Sequence, residues 1–251
     1  MRGIERRLQI MNQIQQSGAA EVSELAELYQ VSTMTIRRDL AKLEEDGLIR
    51  MEYGGAVLNR GTLFEYNMAM KQCEHLEEKM AIAEVAETYI KDGDSIFLDA
   101  GTTVCELAKR LVKRKNIKIM TQSLLVANVL AGSDVDLVMC PGRFRATSMA
   151  FMGQLTDAFL SSFRIDKLFL GVEGVAAEAG VSVPNVRDGI TKQNLVRRSN
   201  WAACVADSSK FGKSYHYNIC ELSQLDVLIT DKGVGRQQEG LCEKETALVK
   251  A

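Results

Sequence analysis

From Lys79 onwards, short apolar runs alternate with helix-patterned stretches, and nothing else in the 251 residues restricts the possible folds as strongly. The spacing predicts a helix over 80–90, ended by Asp92-Gly93, then a buried strand over 95–98. A helix over 103–112, a strand over 117–120, a helix capped by Ser123 and running to Leu130, and a strand over 135–139 follow. Next come a helix over 149–163, a strand over 168–172, a helix over 190–198, a strand over 201–206 and a last core strand over 227–230. Strands separated by helices of crossover length form βαβ units, so the expected class is α/β with a mostly parallel αβα sheet.

In such sheets ligands bind beyond the carboxyl ends of the strands, which makes the residues after each strand the candidate site. After the first strand come Asp99, Ala100, Gly101, Thr102 and Thr103; after the second, Thr121, Gln122 and Ser123. Pro141, Gly142 and Arg143 follow the third, with Arg145 close behind. Asp207, Ser208, Ser209 and Lys210 follow the strand at 201–206, and Lys192 lies on the helix before it. Glycine lets backbone approach an anion, while hydroxyls and free helix N–H groups hold it. Hydroxyls and cations thus collect at one edge, with Asp99 and Asp207 as acceptors, a chemistry suited to a phosphate carrying a polyol.

The first sixty residues follow a different pattern. Ile4, Leu8, Met11 and Ile14 share one helical face, and Ser17-Gly18 ends that helix. Ser23 is the expected N-cap of a short second helix carrying Leu25, Ala26 and Leu28. Tyr29, Gln30 and Val31 form a tight turn, and Ser32 caps a third helix whose buried face is Ile36, Leu40 and Leu43. Gly47 is the expected left-handed C-cap. Met34, Arg38 and Ala41 point away from the buried face, with Thr35, Arg37 and Lys42 on its flanks. Ser32, Thr33, Thr35, Arg37, Arg38 and Lys42 are therefore candidates for DNA contact, because a recognition helix offers its N-terminal half to base edges and phosphates. Two β runs over 48–57 would make a wing, with Arg50 and Tyr53 near the DNA backbone.

The segment VSTMTIRRDLAKLEEDG, followed by RMEYGGA, resembles the signature of the DeoR-type family of bacterial transcriptional repressors. LDAGTT, TQS, Gly153, DSSKFG and ITD, in that order, resemble the sensor domain of the same family. The resemblance implies an N-terminal winged helix-turn-helix and a C-terminal domain similar to the ribose-5-phosphate isomerase fold. It also implies an oligomeric repressor of carbohydrate utilisation that responds to a phosphorylated sugar or related metabolite. Two positions depart from the family pattern: Pro141-Gly142 replaces a common Gly-Gly, and Asp188 replaces a glutamate. Proline fixes φ and removes an N–H donor, so that loop can hold its ligand differently.

The expected organisation is a DNA-binding domain over 1–58, a linker over 59–78 and an effector-sensing, oligomerising domain over 79–251. The linker is read from its lack of a clean period; Phe64, Tyr66, Met68 and Met70 alternate only briefly. Residues 1–60 hold eight Lys/Arg against nine Asp/Glu, and the chain carries a net charge of −2. Affinity for double-stranded operator DNA must then come from a few contacts multiplied by a homo-oligomer, dimer or tetramer. No apolar run is long enough for a membrane helix, and the start lacks the apolar segment of a secretory signal. A cytoplasmic chain with reduced cysteines is expected, and no cofactor is read. Cys73 and His75 are too few to hold a metal, and only one other histidine, His216, occurs. Two alternatives stay open on residues alone: a sheet domain that only oligomerises, and a sugar-phosphate isomerase using Asp99 or Asp207 as base.

Overall fold

The computed structural model describes residues 3–45, 48–58, 68–242 and 244–251. Helix α1 (Gly3–Ser17) buries Ile10, Met11 and Ile14. The side chains of Ile4 and Leu8, expected on the same face, lie outside the described residues. The helix stops because Gly18 takes a φ of +82° and returns its N–H to the Ile14 carbonyl at 2.8 Å.

Strand β1 (Ala19–Glu21) then runs straight into α2 (Val22–Leu28), with no side-chain cap. Ser23 is therefore not the N-cap. The Val22 N–H is satisfied by the Gly54 carbonyl at 2.9 Å, so the tip of the wing does the work of a capping side chain. Gln30 supplies the tight turn with a φ of +51°. Helix α3 (Thr33–Glu45) follows, then the wing strands β2 (Ile49–Glu52) and β3 (Gly55–Leu58). The three strands pair antiparallel in the order β1-β3-β2. Glycine is required at Gly55, where a Cβ would sit 2.4 Å from the Ala20 carbonyl oxygen. Leu25, Ile36, Leu40, Leu43 and Leu48 close the core of this unit. Gly47, the expected C-cap, lies outside the described residues.

The chain divides into two units, Met1–Met70 and Lys71–Ala251. Residues 59–67, including Phe64 and Tyr66, lie outside the description. Helix α4 (Met68–Cys73) covers the division, and α5 (Leu76–Glu87) begins about one turn earlier than the sequence pattern suggests.

In the second unit the chain continues through β4 (Ser95–Leu98), α6 (Thr102–Leu111), β5 (Lys118–Thr121), α7 (Leu124–Leu130) and β6 (Asp136–Met139). A hairpin of β7 (Arg143–Arg145) and β8 (Ala150–Met152) leads to α8 (Gln154–Leu160) and β9 (Ile165–Leu170). Then come β10 (Gly174–Ala176), β11 (Gly180–Val183), α9 (Val186–Arg198), β12 (Ser199–Val205), β13 (Tyr217–Cys220) and β14 (Val227–Thr230). Helix α10 (Arg236–Cys242) and β15 (Ala247–Lys250) end the chain. Seven strands form a parallel sheet in the order β15-β14-β12-β9-β4-β5-β6. From β4 the chain builds outwards through β5 and β6, then returns to the other side of β4 with β9. The switch point lies between β4 and β9, where such sheets open a crevice.

Alternation along β9 shows how both faces are covered. Leu168 and Leu170 join the cluster with Leu195 of α9 and Leu160 of α8. Phe169 joins the opposite cluster with Ile82 of α5 and Val104 and Leu107 of α6. Two expectations fail here, and one sheet was not expected at all. The helix expected over 149–163 begins only at Gln154, because Met149 (φ +48°) and Gly153 (φ +104°) break the pattern and Ala150–Met152 pairs with β7. The strand over 227–230 is not the last, since β15 adds outside it. The small antiparallel sheet β10-β11-β13 carries no sequence signal strong enough to read. Cys105, Cys140, Cys204, Cys220 and Cys242 are buried free thiols, and burial pushes Cys140 and Cys220 up to about 12. No described helix is long and apolar enough to cross a membrane.

Candidate functional site

The first surface is α3 and the wing. Ser32 Oγ accepts the Thr35 N–H at 3.2 Å and lies 3.0 Å from the Thr35 hydroxyl, fixing the helix start. Thr33, Met34, Arg37, Arg38 and Lys42 are exposed, opposite Ile36, Leu40 and Leu43. Arg37 and Arg38 have no hydrogen-bond or ion-pair partner among the described residues. Among the described residues Lys42 and Arg50 pair only with exposed carboxylates, Glu45 at 3.1 Å and Glu52 at 2.7 Å. Exposed pairs of this kind contribute little, so both cations remain free to change partner. Tyr53 stands fully exposed at the β2–β3 turn, beside Gly54 at φ +80°. Packing within the unit calls for none of these side chains.

Sequence reasoning missed the clamp behind this surface. Asp39 of α3 is buried and accepts from Arg6 Nε at 2.7 Å and Arg7 at 3.2 Å, both on α1. The aspartate reads as one more polar residue of an amphipathic helix, and only the packing of α1 against α3 reveals its partners.

The second surface is the carboxyl edge of the parallel sheet. Asp99, directly after β4, is fully buried. Its Oδ1 accepts from Gln122 Nε2 at 2.6 Å, and its Oδ2 accepts from the Gly171 N–H at 3.0 Å and Lys192 Nζ at 2.5 Å. Lys192 also donates to the carbonyls of Gly171 at 3.0 Å and Ala100 at 3.4 Å, with Asp188 one turn away on α9 at 3.8 Å. Burial works against the ammonium, but Asp188 and Asp99 outweigh it and raise the Lys192 pKa above the usual lysine range. This lysine stitches the β4 and β9 loops together across the switch point. The approach is close: a Cβ on Gly171 would lie 2.9 Å from the Ala100 carbonyl oxygen.

Around that stitch the predicted residues divide by what their polar atoms already touch. Thr121 Oγ1 donates to the Leu98 carbonyl at 2.6 Å and accepts the Ser123 N–H at 3.0 Å, and Ser123 Oγ accepts the Val126 N–H at 3.3 Å. Both hydroxyls therefore shape the start of α7. Gly142 packs beneath α8, where a Cβ would meet Thr156 Oγ1 at 2.2 Å. Gly101 precedes α6, and the Thr102 and Thr103 hydroxyls in its first turn have no partner among the described residues. Asp207 accepts the Ser209 N–H at 3.1 Å; burial would raise its pKa, but Lys210 and the Ser209 hydrogen bond lower it. Gln122 Oε1 and Thr230 Oγ1 are buried without a hydrogen-bond partner.

Three members of this edge were missed by the sequence reading. Glu173, in the loop after β9, pairs with Lys210 at 3.4 Å and with Lys71 of α4. Burial would raise the Glu173 pKa, but Lys71 and Lys210 hold it down to about 2. Lys79 of α5 is buried and donates to the backbone carbonyls of Lys71 and Glu74. Burial lowers its pKa below the usual lysine value.

Arg143 stands apart from this group. It lines a cleft of about 920 Å³ with Arg145, Gly153, Asn185 and Arg187, where the exposed rings and chains of Phe144, Leu155 and Ile190 also lie. Among the described residues no group of three His, Cys, Asp or Glu side chains is arranged to hold a metal ion.

The DeoR-like helix-turn-helix domain matches residues 6–62, and the DeoR C terminal sensor domain matches residues 74–232. A putative aga operon transcriptional repressor from Escherichia coli is 35% identical over 233 residues, covering 92% of this chain and 87% of that protein. The glycerol-3-phosphate regulon repressor of Shigella flexneri is 32% identical over 92% of each chain. The lactose phosphotransferase system repressor of Staphylococcus epidermidis is 34% identical, covering 89% of this chain and 90% of its own. Among solved structures, a ribose 5-phosphate isomerase A from Methanocaldococcus jannaschii superposes with a TM-score of 0.42 and 17% identity, over 55% of each chain.

Proposed function

We propose, on the premise that this chain belongs to the DeoR family of DNA-binding transcriptional regulators, that it represses a carbohydrate-utilisation operon in the cytoplasm and responds to a phosphorylated sugar. Helix α3 enters the major groove with Arg37 and Arg38 towards base edges and phosphates, while Ser32, Thr33, Thr35 and Lys42 flank them. Arg50 and Tyr53 follow the adjacent backbone from the wing. A nearly balanced charge limits what one copy can bind, so a homo-oligomer presents paired helices to two half-sites.

The effector lies across the carboxyl edge of the sheet. Thr102, Thr103 and the free N–H groups at the start of α6 hold its phosphate, and Lys210 adds a charge-assisted contact. Asp99, Gly101, Thr121, Ser123, Gly142, Lys192 and Asp207 shape the crevice. Arg143 belongs to the neighbouring cleft, which accommodates the part of the ligand distant from the phosphate. The observation that carries this reading is at the sheet edge: among the described residues the Thr102 and Thr103 hydroxyls have no protein partner, while Asp99, Lys192, Thr121 and Ser123 beside them are held by hydrogen bonds. Effector binding shifts the conformers towards one whose paired α3 helices no longer match the operator.

The test is a thermal-shift screen of the full chain against phosphorylated sugars and sugar alcohols, since selective binding raises apparent stability. A hit is then titrated against the preformed operator complex. Release of DNA by the hit supports the reading. A screen in which no phosphorylated sugar stabilises the protein contradicts it.

A further inference from the structure

Lys71 and Lys210 come from distant parts of the chain and converge on one carboxylate, that of Glu173. Lys71 sits on α4, the element through which the chain passes from the first unit to the second. Its side chain is 8% exposed, while those of Lys210 and Glu173 are 20% and 19% exposed, so the outer side of the cluster is open to a small solute. Lys79 reinforces the arrangement by gripping the carbonyls of Lys71 and Glu74, which fixes the end of α4 to α5. Asp207 and Lys213 complete the charged surroundings.

Charge decides what this cluster would prefer. Lys192, one further residue inwards, is neutralised by Asp99 and Asp188. Lys71, Lys79, Lys210 and Lys213 face three carboxylates, those of Glu173, Asp207 and Glu74, and Asp207 already accepts from Ser209. The cluster is thus short of negative charge. A phosphate monoester brings up to two negative charges and three acceptor oxygens, against one charge and two oxygens on a carboxylate. Two ammonium groups that share one carboxylate would be better served by such an anion.

We infer that Glu173 is an internal stand-in for the effector phosphate, and that the incoming phosphate displaces its carboxylate from Lys210 and Lys71. The proposal rests on the strand-edge reading above and adds what the phosphate displaces and which helix feels it. Because Lys71 belongs to α4, exchange of its partner re-seats that helix. The exchange gives the ligand a differential interaction with two states, which any population shift requires.

The test uses the full chain and inorganic phosphate as the probe. The parent, Glu173→Gln and Glu173→Asp are titrated by calorimetry, and amide exchange of residues 68–74 is followed with and without phosphate. Removing the internal competitor should make Glu173→Gln bind phosphate about tenfold more tightly. Its α4 amides, without ligand, should exchange like those of the phosphate-saturated parent. Glu173→Asp, whose shorter arm cannot serve both lysines, should gain affinity to a smaller extent and covers the case in which the glutamine variant does not fold.

Affinity in the Glu173 variants equal to or below that of the parent overturns the displacement. So does an α4 that exchanges identically with and without phosphate. Lys210→Gln separates the two claims. If it abolishes phosphate binding while the Glu173 variants bind no better than the parent, the strand-edge site stands and only the stand-in fails. If it leaves binding intact, or if the parent binds no phosphate at all, the site itself is wrong and the stand-in falls with it.

Discussion

Lys192 Nζ lies 2.5 Å from Asp99 Oδ2, although the two residues are 93 positions apart and both are almost wholly removed from water. The pair holds the loop after β4 against the loop after β9, at the place where the strand order reverses.

Breaking that pair should be costly. Lys192→Met leaves Asp99 buried with only Gln122 and the Gly171 N–H as partners, and should destabilise the protein by about 3–5 kcal/mol. Adding Asp99→Asn to the same chain should recover part of the loss, because the unpaired charge is removed. Urea unfolding of the two variants and the parent measures both effects. A double variant no more stable than Lys192→Met would show that the carboxylate charge is not the source of the loss.

DNA recognition and folding should separate on α3. Arg38 is exposed and without a partner among the described residues, so Arg38→Ala should leave stability unchanged and cost about 1–3 kcal/mol of operator binding if it reads a base edge. Leu40 is fully buried, and Leu40→Ala should cost about 2–5 kcal/mol of stability. Fluorescence anisotropy with operator DNA, alongside thermal unfolding, distinguishes them. Unchanged affinity and unchanged sequence preference in Arg38→Ala would remove this residue from the interface.

Oligomerisation should multiply a weak grip. The segment 1–60 by itself should lose most of the operator affinity of the full chain, because two-fold engagement of half-sites is what raises it. Light scattering of the full chain should report at least a dimer. Tight operator binding by a full-length monomer would refute the argument.

Effector response should be lost without loss of DNA binding. Thr102→Ala and Lys210→Ala leave α3 and the wing untouched, so operator affinity should persist while release by the effector is blunted. The Lys210 contact should be worth on the order of 1.5–3 kcal/mol. Effector titration of preformed operator complexes is the measurement, and a response at the parent's concentration in both variants would move the phosphate elsewhere.

Acid should weaken the sensor unit through Glu173. Burial would raise its pKa, but Lys71, Lys210 and Lys192 hold it down to about 2 in the folded protein, against 4.5 for an ordinary glutamate. A depressed carboxylate stabilises the fold fully above its unfolded pKa, and the stabilisation fades as pH falls towards the folded one. The contribution at neutral pH is on the order of 3 kcal/mol, lost between about pH 4.5 and 2. Glu173→Gln should therefore be less stable at pH 7 and show a flatter acid limb in unfolding experiments over that window. An identical acid limb in variant and parent would contradict the assignment.

The sequence by itself determined the elements whose signals are local. Period 3.6 on α3 placed Ile36, Leu40 and Leu43 inside and Arg38 outside, and the alternation from β4 to β14 specified a parallel αβα sheet. Ser123 was legible as a cap because capping depends on neighbours a few residues away. Short elements were not legible. Three residues of β1 or β10 carry too few positions for a period, and the hairpin before α8 was hidden inside an apolar stretch that reads as helix until Met149 and Gly153 turn it. The tertiary structure alone decided the partners of the charged residues. Asp39 finds Arg6 and Arg7 through the packing of α1 on α3, and Asp99 finds Lys192 because β9 returns beside β4. Glu173 meets Lys71 of α4, 102 positions away. A side chain's type shows that it needs a partner, but which partner it meets is set by strand order and helix docking, and those are properties of the whole fold.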